Sequence, residues 1–497
     1  MSYIQVSDLT FAYEGSYDNI FEHVSFRLDT DWKLGLIGRN GRGKTTFLKL
    51  LMKKYEYSGT ITADMDFAYF PYEVEHMEWL TIDVLREICA QCEEWEIIRE
   101  LSRIDVAEDA IWRPFETLSN GEQVKTLLAA LFLKENAFLL IDEPTNHLDE
   151  EGRKAISGYL KQKKGFILVS HDRNLLDSCV DHVLAINRNN IEVQKGNFSS
   201  WKENKERQDA FELSENEKLR KDIKRLEKAA KRTSDWSDKL EKTKNADRKK
   251  RRDAGIKLDK GFIGHKAEKM MQRSKNLKRR QETAMEEKEG LLRNIETADD
   301  LKLSPLHARK NPLVYLKDVS VKYGEKTVCS GVTFEIENGD RISLKGKNGS
   351  GKSTILKLIL GERMDFDGEL RKGTGLKISY VPQRTDDLRG DLKTYIAEYG
   401  IDESLFKAIL RKMGFPREQF DKSLENFSSG QKKKVLIARS LCEEAHLYIW
   451  DEPLNFIDVF SRIQIEELLE KFKPTLLFVE HDSVFSEKIA TKTVTLS

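Results

Sequence analysis

The sequence has few cysteines, few prolines and no long apolar run. Five cysteines and nine prolines occur among 497 residues. The longest apolar runs, near residues 137–141 and 166–169, are far shorter than the roughly 20 residues that a membrane-spanning helix needs. The first residues contain no basic stretch followed by an apolar one, so they do not resemble a secretory signal. We therefore expect a cytoplasmic protein that requires no membrane partner.

An excess of charge of either sign is also missing. The 84 Lys and Arg residues balance the 84 Asp and Glu residues, which excludes a uniformly basic nucleic-acid binder but not a local basic patch. The single CxxC pair, Cys89 and Cys92, has no second pair to complete a zinc site. Its surroundings, ICAQCEEW, predict an amphipathic helix. We therefore expect neither a metal site nor a redox site at these cysteines.

The sequence contains an internal duplication. Four segments recur in the same order at an offset of 308 to 310 residues. The pairs are WKLGLIGRNGRGKTT with DRISLKGKNGSGKST, LSNGEQVKTLLAA with FSSGQKKKVLIAR, LLIDEPTNHLD with YIWDEPLNFID, and FILVSHD with LLFVEHD. A constant offset over four motifs indicates a tandem repeat of one domain. The predicted domains are residues 1–198 and 305–497.

Residues 199–304, between the repeats, have a different composition. They are rich in Lys, Arg, Glu and Gln and show no β alternation. Apolar residues recur at helical spacing in 219–230 and at every seventh residue in 270–291, and glycines between these stretches favour a turn. The sequence predicts an antiparallel helical hairpin with its tip at about residues 245–265. The arms of this hairpin would reach on the order of 45 to 65 Å.

Each repeat has a phosphate-binding loop. GRNGRGKT at 38–45 and GKNGSGKS at 346–353 fit GxxxxGK[ST] between an apolar strand and a helical pattern. Backbone N–H groups of such a loop converge on phosphate oxygens, its lysine reaches the β and γ phosphates, and its hydroxyl can ligate Mg²⁺. The candidate ATP-binding residues are Gly38, Asn40, Gly41, Gly43, Lys44, Thr45 and Thr46 in the first loop, and Gly346, Asn348, Gly349, Gly351, Lys352, Ser353 and Thr354 in the second.

Acidic pairs follow apolar strands in both repeats. Asp142 and Asp451 suit the Mg²⁺ shell beside the loop hydroxyls, while Glu143 and Glu452 suit polarisation of the water that attacks the γ-phosphate. An ordinary acidic turn after a strand would look the same, but the phosphate loops upstream favour the catalytic interpretation.

A histidine follows a later apolar strand in each repeat. His171 and His481 each precede an aspartate, where an imidazole could hold the γ-phosphate or the attacking water. A lone histidine is more often structural. The recurrence in register favours a catalytic role for this pair.

Both repeats also contain a short serine- and glycine-containing motif that opens a helix. Ser119, Gly121 and Glu122 form it in the first repeat, and Ser428, Gly430 and Gln431 form it in the second; alone, each is a weak N-cap motif. The order of phosphate loop, this motif, hydrophobic-DEP and histidine resembles the ATP-binding cassette family.

The resemblance to that family implies an α/β fold of two tandem cassettes, each a P-loop NTPase domain, that hydrolyse ATP with Mg²⁺. It also implies that the signature serine and glycine of each cassette complete the ATP site of the other, within a monomer. Two aromatics near the start of the repeats, Tyr13 and Tyr323, match the one that stacks on adenine, with packing in the core as the less favoured alternative.

The chain departs from the family pattern in two places. A family glutamine that ligates the metal is matched by Gln383, but the first cassette has Tyr72 there, with Glu73 as a possible substitute. DEPLNFID replaces DEPTNHLD in the second cassette, so that Phe456 stands where His147 would be. We therefore expect the two ATP sites to be unequal.

Two fused cassettes with a basic linker resemble the ABC-F subfamily of ribosome-associated factors. Residues 221–280 hold about 23 Lys and Arg against about 9 Asp and Glu, which suits a phosphate-rich partner, although a solvated helical face has the same composition. The implied partners are the 70S ribosome, through its 50S subunit and 23S rRNA, and peptidyl-tRNA. The tip candidates for ribosome or tRNA contact are Lys244, Arg248, Lys249, Lys250, Arg251, Arg252, Lys257, Phe262 and His265.

Within ABC-F, the linker of about 100 residues together with FSSGQKKK and DEPLNFIDV resembles the Lsa-type antibiotic-resistance branch. This resemblance implies entry into the tRNA exit site of drug-stalled ribosomes and release of lincosamides, pleuromutilins and streptogramin A. A housekeeping ABC-F translation factor and the ATPase subunit of a drug exporter stay open as alternatives. DNA repair is disfavoured by the short hairpin.

Overall fold

The structure is a computed structural model of the chain. It describes residues 2–14, 19–146, 148–187, 191–212, 305–308, 311–323, 326–347, 349–415 and 417–496, with scattered positions between 214 and 280. The chain divides into two compact units, of which one comprises Met1–Trp201 with Ala298–Ser497 and the other Lys202–Thr297. Both cassettes therefore belong to one unit.

The first cassette contains two sheets. Its strands are β1 (Tyr3–Phe11), β2 (Phe21–Asp29), β3 (Lys33–Gly38), β4 (Ser58–Thr62), β5 (Asp66–Phe70), β6 (Ala137–Asp142), β7 (Phe166–Val169), β8 (His182–Ile186) and β9 (Ile191–Lys195). An antiparallel sheet has the order β2-β1-β4, and a six-stranded sheet has the order β5-β6-β7-β3-β8-β9. The six-stranded sheet is parallel except for β9. The non-consecutive order requires crossover connections, which helices provide.

The second cassette repeats this plan. Its strands are β10 (Val314–Tyr323), β11 (Lys326–Ile336), β12 (Arg341–Lys345), β13 (Asp365–Lys372), β14 (Ile378–Val381), β15 (Leu447–Asp451), β16 (Leu476–Val479) and β17 (Lys492–Thr495). They form an antiparallel sheet, β11-β10-β13, and a parallel sheet, β14-β15-β16-β12-β17. The prediction of two tandem α/β cassettes is confirmed.

The helices repeat in the same way. Those of the first cassette are α1 (Lys44–Leu51), α2 (Thr81–Ile88), α3 (Glu94–Arg103), α4 (Asn120–Leu133), α5 (Glu150–Gln162) and α6 (Arg173–Cys179). Those of the second are α7 (Lys352–Leu360), α8 (Leu392–Tyr399), α9 (Glu403–Lys412), α10 (Ser429–Cys442), α11 (Val459–Phe472) and α12 (Ser483–Ile489). The strands β6, β7, β15 and β16 are buried almost throughout. Parallel strands covered by helices on both faces have this continuous apolar character.

The region around the CxxC pair is not the continuous helix that its sequence predicts. The α2 helix ends at Ile88, and α3 begins at Glu94. The reason is local, because Glu93 and Glu96 form a capping box that starts a new helix. The Sγ atom of Cys89 lies 3.1 Å from the carbonyl oxygen of Leu85, and no cluster of metal-ligating side chains occurs among the residues that the structure describes.

Most of the predicted linker, including the tip at 245–265 with all nine contact candidates, lies outside the described residues. Residues 198–212 are helical. Within the described part of the chain, no helix is both long and apolar enough to cross a membrane.

Candidate nucleotide sites

The first phosphate loop joins β3 to α1. Gly43, which precedes the helix, has φ of +88°, and a Cβ there would lie 2.6 Å from Cγ2 of Ile20, so only glycine fits. The buried Lys44 donates from Nζ to the carbonyl oxygen of Gly38 at 2.8 Å. The lysine is thus held over the loop at the N-terminus of α1, where backbone N–H groups are free to bind an anion.

The second loop has the same geometry. Lys352 donates from Nζ to the carbonyl oxygens of Gly346 and Lys347, both at 2.8 Å. Gly351 has φ of +87°, and a Cβ there would lie 3.0 Å from Cβ of Cys329. Asn348 lies outside the described residues.

A hydroxyl and a carboxylate lie together beside each loop. Thr45 donates from Oγ1 to Oδ2 of Asp142 at 2.8 Å, and Ser353 is hydrogen-bonded to Asp451. The Oδ1 atom of Asp451 is buried and forms no hydrogen bond to any described residue. Burial raises the pKa of both aspartates. A hydroxyl with an unsatisfied carboxylate oxygen is a donor set that fits a hard cation such as Mg²⁺.

The two glutamates that follow these aspartates occupy different environments. Both have left-handed backbone, with φ of +54° at Glu143 and +46° at Glu452. Glu452 accepts a hydrogen bond from Nδ2 of Asn455 at 2.6 Å and another from Gln383. Oε1 of Glu143 is buried and forms no hydrogen bond to any described residue, and Oε2 accepts only a long one, 3.3 Å, from the backbone N–H of His171 among these residues.

The pKa values of these glutamates diverge accordingly. Burial raises the pKa of Glu143 to about 8, and the neighbouring Asp142 adds to this effect. Burial also acts to raise the pKa of Glu452, but the nearby His481 and hydrogen bonds from Gln383 and Asn455 outweigh it and bring the value to about 2. The second site therefore holds an ionised carboxylate more firmly than the first.

The residue that aligns with Gln383 explains part of this difference. Tyr72 is half-buried and packs against the hydrophobic core of the first cassette, whereas Gln383 lines the second site beside Glu452. Burial raises the pKa of Tyr72, with a smaller contribution from Glu87. With a tyrosine at this position, Glu143 lacks the hydrogen bond that Glu452 accepts from Gln383.

Both candidate histidines lie near their glutamates. Nε2 of His171 is 3.3 Å from Oε1 of Glu143, and Nε2 of His481 is 3.6 Å from Oε1 of Glu452. Burial, together with Lys44, lowers the pKa of His171 well below its ordinary value, so that this imidazole is neutral at pH 7 and can accept or donate a hydrogen bond.

The signature motif of the second cassette reaches the first phosphate loop. Asn40 donates from Nδ2 to the carbonyl oxygen of Phe456 at 2.8 Å. A Cβ on Gly430 would lie 2.4 Å from that oxygen and 2.9 Å from Nδ2 of Asn40. Ser428 caps α10 and forms a capping box with Gln431. The structure thus brings Gly430 and the loop that contains Lys44 together across the two cassettes.

The second site encloses a cavity of about 370 Å³. Arg153 of the first cassette contributes to its wall, although Ser119 and Gly121 do not line it. Ser119 caps α4 in a capping box with Glu122. The residues of the second cassette that line the cavity are Val328, Gly349, Gly351, Lys352, Ser353, Thr354, Gln383, Glu452, Asn455 and His481.

The adenine-stacking candidates are only partly described. Tyr13 is 43% exposed, and its hydroxyl lies 2.7 Å from Oγ1 of Thr46. Its ring packs edge-on against Phe11 at a centroid distance of 5.1 Å, which leaves a partly exposed aromatic beside the first loop. The side chain of Tyr323 lies outside the described residues.

Besides Val328 and Asn455, which line the second cavity, other residues at these sites were not among the predicted ones. Tyr69 donates from its hydroxyl to Oδ2 of Asp142 at 3.1 Å, Arg153 reaches the opposite cassette's cavity, and Lys433 is buried beside the second site. The repeated Y-x-P of YFPY and YVPQ could have marked Tyr69. The other two depend on contacts distant in sequence, so no local pattern marks them.

Comparison with known proteins agrees with this geometry. The model of the ABC transporter family matches residues 21–146 and 329–455. Ribosome protection protein VmlR of Bacillus subtilis (strain 168) is 28% identical over 493 residues, covering 98% of this chain and 85% of that protein. ATP-binding protein Uup of Caulobacter vibrioides is 27% identical over 494 residues, covering 96% and 74%.

Solved structures share the fold. The archaeal ribosome recycling factor aABCE1, in complex with stalk protein aP1, matches with a TM-score of 0.62 at 19% identity and covers 98% of this chain and 87% of its own. RNase-L Inhibitor matches with a TM-score of 0.60 at 18% identity, over 98% and 87%. Because the family model matches more than half of this chain, the chain belongs to the ABC transporter family and is an ABC-F-type ATPase with both cassettes on one polypeptide.

Proposed function

We propose that this ATPase binds drug-stalled ribosomes, enters the tRNA exit site and promotes release of antibiotics from the peptidyl-transferase centre of the 50S subunit. The similarity to a ribosome protection protein carries the proposal, because it extends over 98% of the chain and therefore includes the linker. The drugs in question are lincosamides, pleuromutilins and streptogramin A. The chain hydrolyses ATP for its own release.

In this mechanism, ATP lies between the cassettes. Lys44 and Lys352 hold the β and γ phosphates, and the adjacent hydroxyls with the two aspartates hold Mg²⁺, which neutralises phosphate charge. Glu143 and Glu452 orient the attacking water. The contact between Asn40 and the second cassette supports binding across the interface. ATP thus favours the closed arrangement, and hydrolysis removes that preference.

The basic linker is the proposed part of the chain that contacts the ribosome and tRNA. About 23 Lys and Arg against about 9 Asp and Glu in residues 221–280 suit rRNA and tRNA phosphates. The tip then acts on the drug directly or by shifting peptidyl-tRNA.

A drug-inhibited cell-free translation reaction tests the proposal. Purified protein restores synthesis in the presence of a lincosamide or pleuromutilin, and it does so without any membrane, which an exporter subunit could not do. The Glu143→Gln/Glu452→Gln variant binds ATP without hydrolysing it and sediments with 50S-containing ribosomes. Free sedimentation of that variant with ATP contradicts ribosome binding.

A housekeeping ABC-F translation factor is the second candidate. Similarity at 27% to a relative named only as an ATP-binding protein is nearly as high as the similarity to VmlR. A deletion strain separates the two functions. Slower growth without drug, at unchanged drug susceptibility, favours the housekeeping function, and increased susceptibility at normal growth favours resistance.

A further inference from the structure

A buried cluster of charges crosses the interface between the cassettes. Arg173 of the first cassette donates from Nη1 to Oε2 of Glu466 in α11 at 3.2 Å, with a second bond from Nη2 to Oε1. Nη2 also lies 3.4 Å from Oδ2 of Asp482. Arg462 and Lys488 complete the cluster from the second cassette. The paired arginine and glutamate are 7% and 1% exposed, so water screens this bidentate pair very little.

The cluster joins the two histidine-bearing segments. Arg173 is the first residue of α6 and lies two positions after His171. Asp482 directly follows His481 and caps α12 by accepting a hydrogen bond from the backbone N–H of Phe485 at 3.0 Å. The guanidinium of Arg173 in the first cassette therefore contacts Asp482, the N-cap residue that directly follows His481 in the second cassette.

Among the described residues, the reciprocal contact, in which the second cassette would supply the arginine and the first cassette the glutamate, does not occur. The positions equivalent to the arginine and the glutamate are Ser483 and Ser157. Asp172, the equivalent of the capping aspartate, pairs with Arg153 of its own cassette at 3.2 Å. The cross-cassette contact there is a neutral hydrogen bond of 2.6 Å between Asn174 and Ser483.

We propose that Arg173 is a positioning residue for the second ATP site, acting in trans through Asp482 on His481 and Glu452. When the cassettes meet, the guanidinium fixes Asp482 and thereby the imidazole that lies 3.6 Å from the catalytic carboxylate. At the first site, among the described residues, no arginine of the second cassette contacts Asp172 in this way, and Arg462 acts on Glu143 and His171 only through its charge. Closure is thus coupled to hydrolysis at one site. The inference rests on the hydrolytic roles proposed above for the two glutamates.

Single-turnover hydrolysis of ATP, prebound without metal and started with Mg²⁺, tests this role site by site. In Glu143→Gln the first site binds ATP but does not hydrolyse it, so the burst reports the second site; Glu452→Gln reports the first. We expect Arg173→Met to slow the burst about 10-fold in the Glu143→Gln chain and less than about 2-fold in the Glu452→Gln chain. Arg173→Lys, which keeps the charge, restores part of the rate.

A second cross-cassette ion pair supplies the control. Lys347 and Glu151 are 3.2 Å apart but about three-quarters exposed, so Glu151→Gln changes either burst less than about 2-fold. An equal loss in both backgrounds, or no loss in either, overturns the proposal, because a merely structural clasp would affect both sites alike. The glutamate roles fail separately if the Glu143→Gln/Glu452→Gln double variant still hydrolyses ATP.

Discussion

A lysine is buried beneath the second ATP site. Lys433 is 1% exposed and donates from Nζ to the carbonyl oxygens of Pro382 at 2.7 Å and Asp451 at 3.3 Å. These residues directly precede Gln383 and Glu452 in the sequence, so one ammonium group holds both segments in place. The first cassette has Val124 at the equivalent position.

Burial lowers the pKa of Lys433 to about 8, which gives stability a defined pH dependence. Between pH 8 and about 10.5 the unfolded chain binds this proton and the folded chain does not, so this group makes stability rise with pH. We expect the thermal midpoint of the unaltered chain, relative to Lys433→Met, to rise between pH 7 and pH 9.5. Lys432→Met serves as control. Parallel midpoints across this range would contradict the assignment.

The glutamine position distinguishes the two sites by one side chain. Gln383→Leu removes a hydrogen bond from Glu452 and is expected to lower steady-state ATP turnover about 10-fold. Tyr72→Phe keeps the ring packed on the core and should change turnover less than about 2-fold. Equal effects of the two variants in a coupled ATPase assay would show that the tyrosine serves the first site as the glutamine serves the second.

At the scale of elements, the N-cap residues of α5 and α11 occupy equivalent positions in the two cassettes but differ in their charged partners. Asp458 caps α11 through Ser461 and also forms a buried pair with Lys434 at 2.7 Å, which holds the pKa of this aspartate well below its usual range against the effect of burial. Asp149 caps α5 through Gly152 at 2.9 Å.

An Asp→Asn change in each helix separates capping from charge pairing. Asparagine also caps well, so Asp149→Asn is expected to cost less than about 1 kcal/mol. Asp458→Asn leaves the Lys434 ammonium buried without its carboxylate and should cost about 3 to 5 kcal/mol. Urea unfolding followed by tryptophan fluorescence measures both. Similar midpoint shifts would mean that Lys434 finds another partner.

The elements differ in how far the sequence predicts them. The phosphate-loop helices and the capped α4 and α10 follow from local motifs, because glycine, lysine and serine act through their own backbone neighbours. The break between α2 and α3 does not, since apolar periodicity continues through Cys89 while the capping box of Glu93 restarts the helix. Contacts such as that of Arg173 with Glu466, 293 residues apart, depend on how the cassettes pack.

At the scale of the whole molecule, the close approach of Gly430 to Asn40 limits how the cassettes close. A methyl group on Gly430 would lie 2.9 Å from Nδ2 of Asn40 in the first cassette, so Gly430→Ala is expected to hold the cassettes apart at the first site and to lower ATP turnover at least about 10-fold. Ser429→Ala, at the exposed neighbouring position, adds no bulk and serves as the control.

Small-angle scattering with and without ATP, together with the ATPase assay, measures this effect. Gly430→Ala should fail to compact on addition of ATP, whereas Ser429→Ala should compact like the unaltered chain. Normal compaction of Gly430→Ala would mean that the closed form is looser than the contact at Asn40 indicates.

The one-sided charge cluster makes the two halves of the gene non-interchangeable. A chimera of two first cassettes would place each Arg173 opposite Ser157, with Asp172, which already pairs with Arg153, as the equivalent of Asp482. A chimera of two second cassettes would bury two copies of Glu466 opposite Ser483. Either product therefore lacks the buried ion pair of Arg173 with Glu466. We therefore expect neither chimera to close as the unaltered chain does, so the two cassettes are not interchangeable in position.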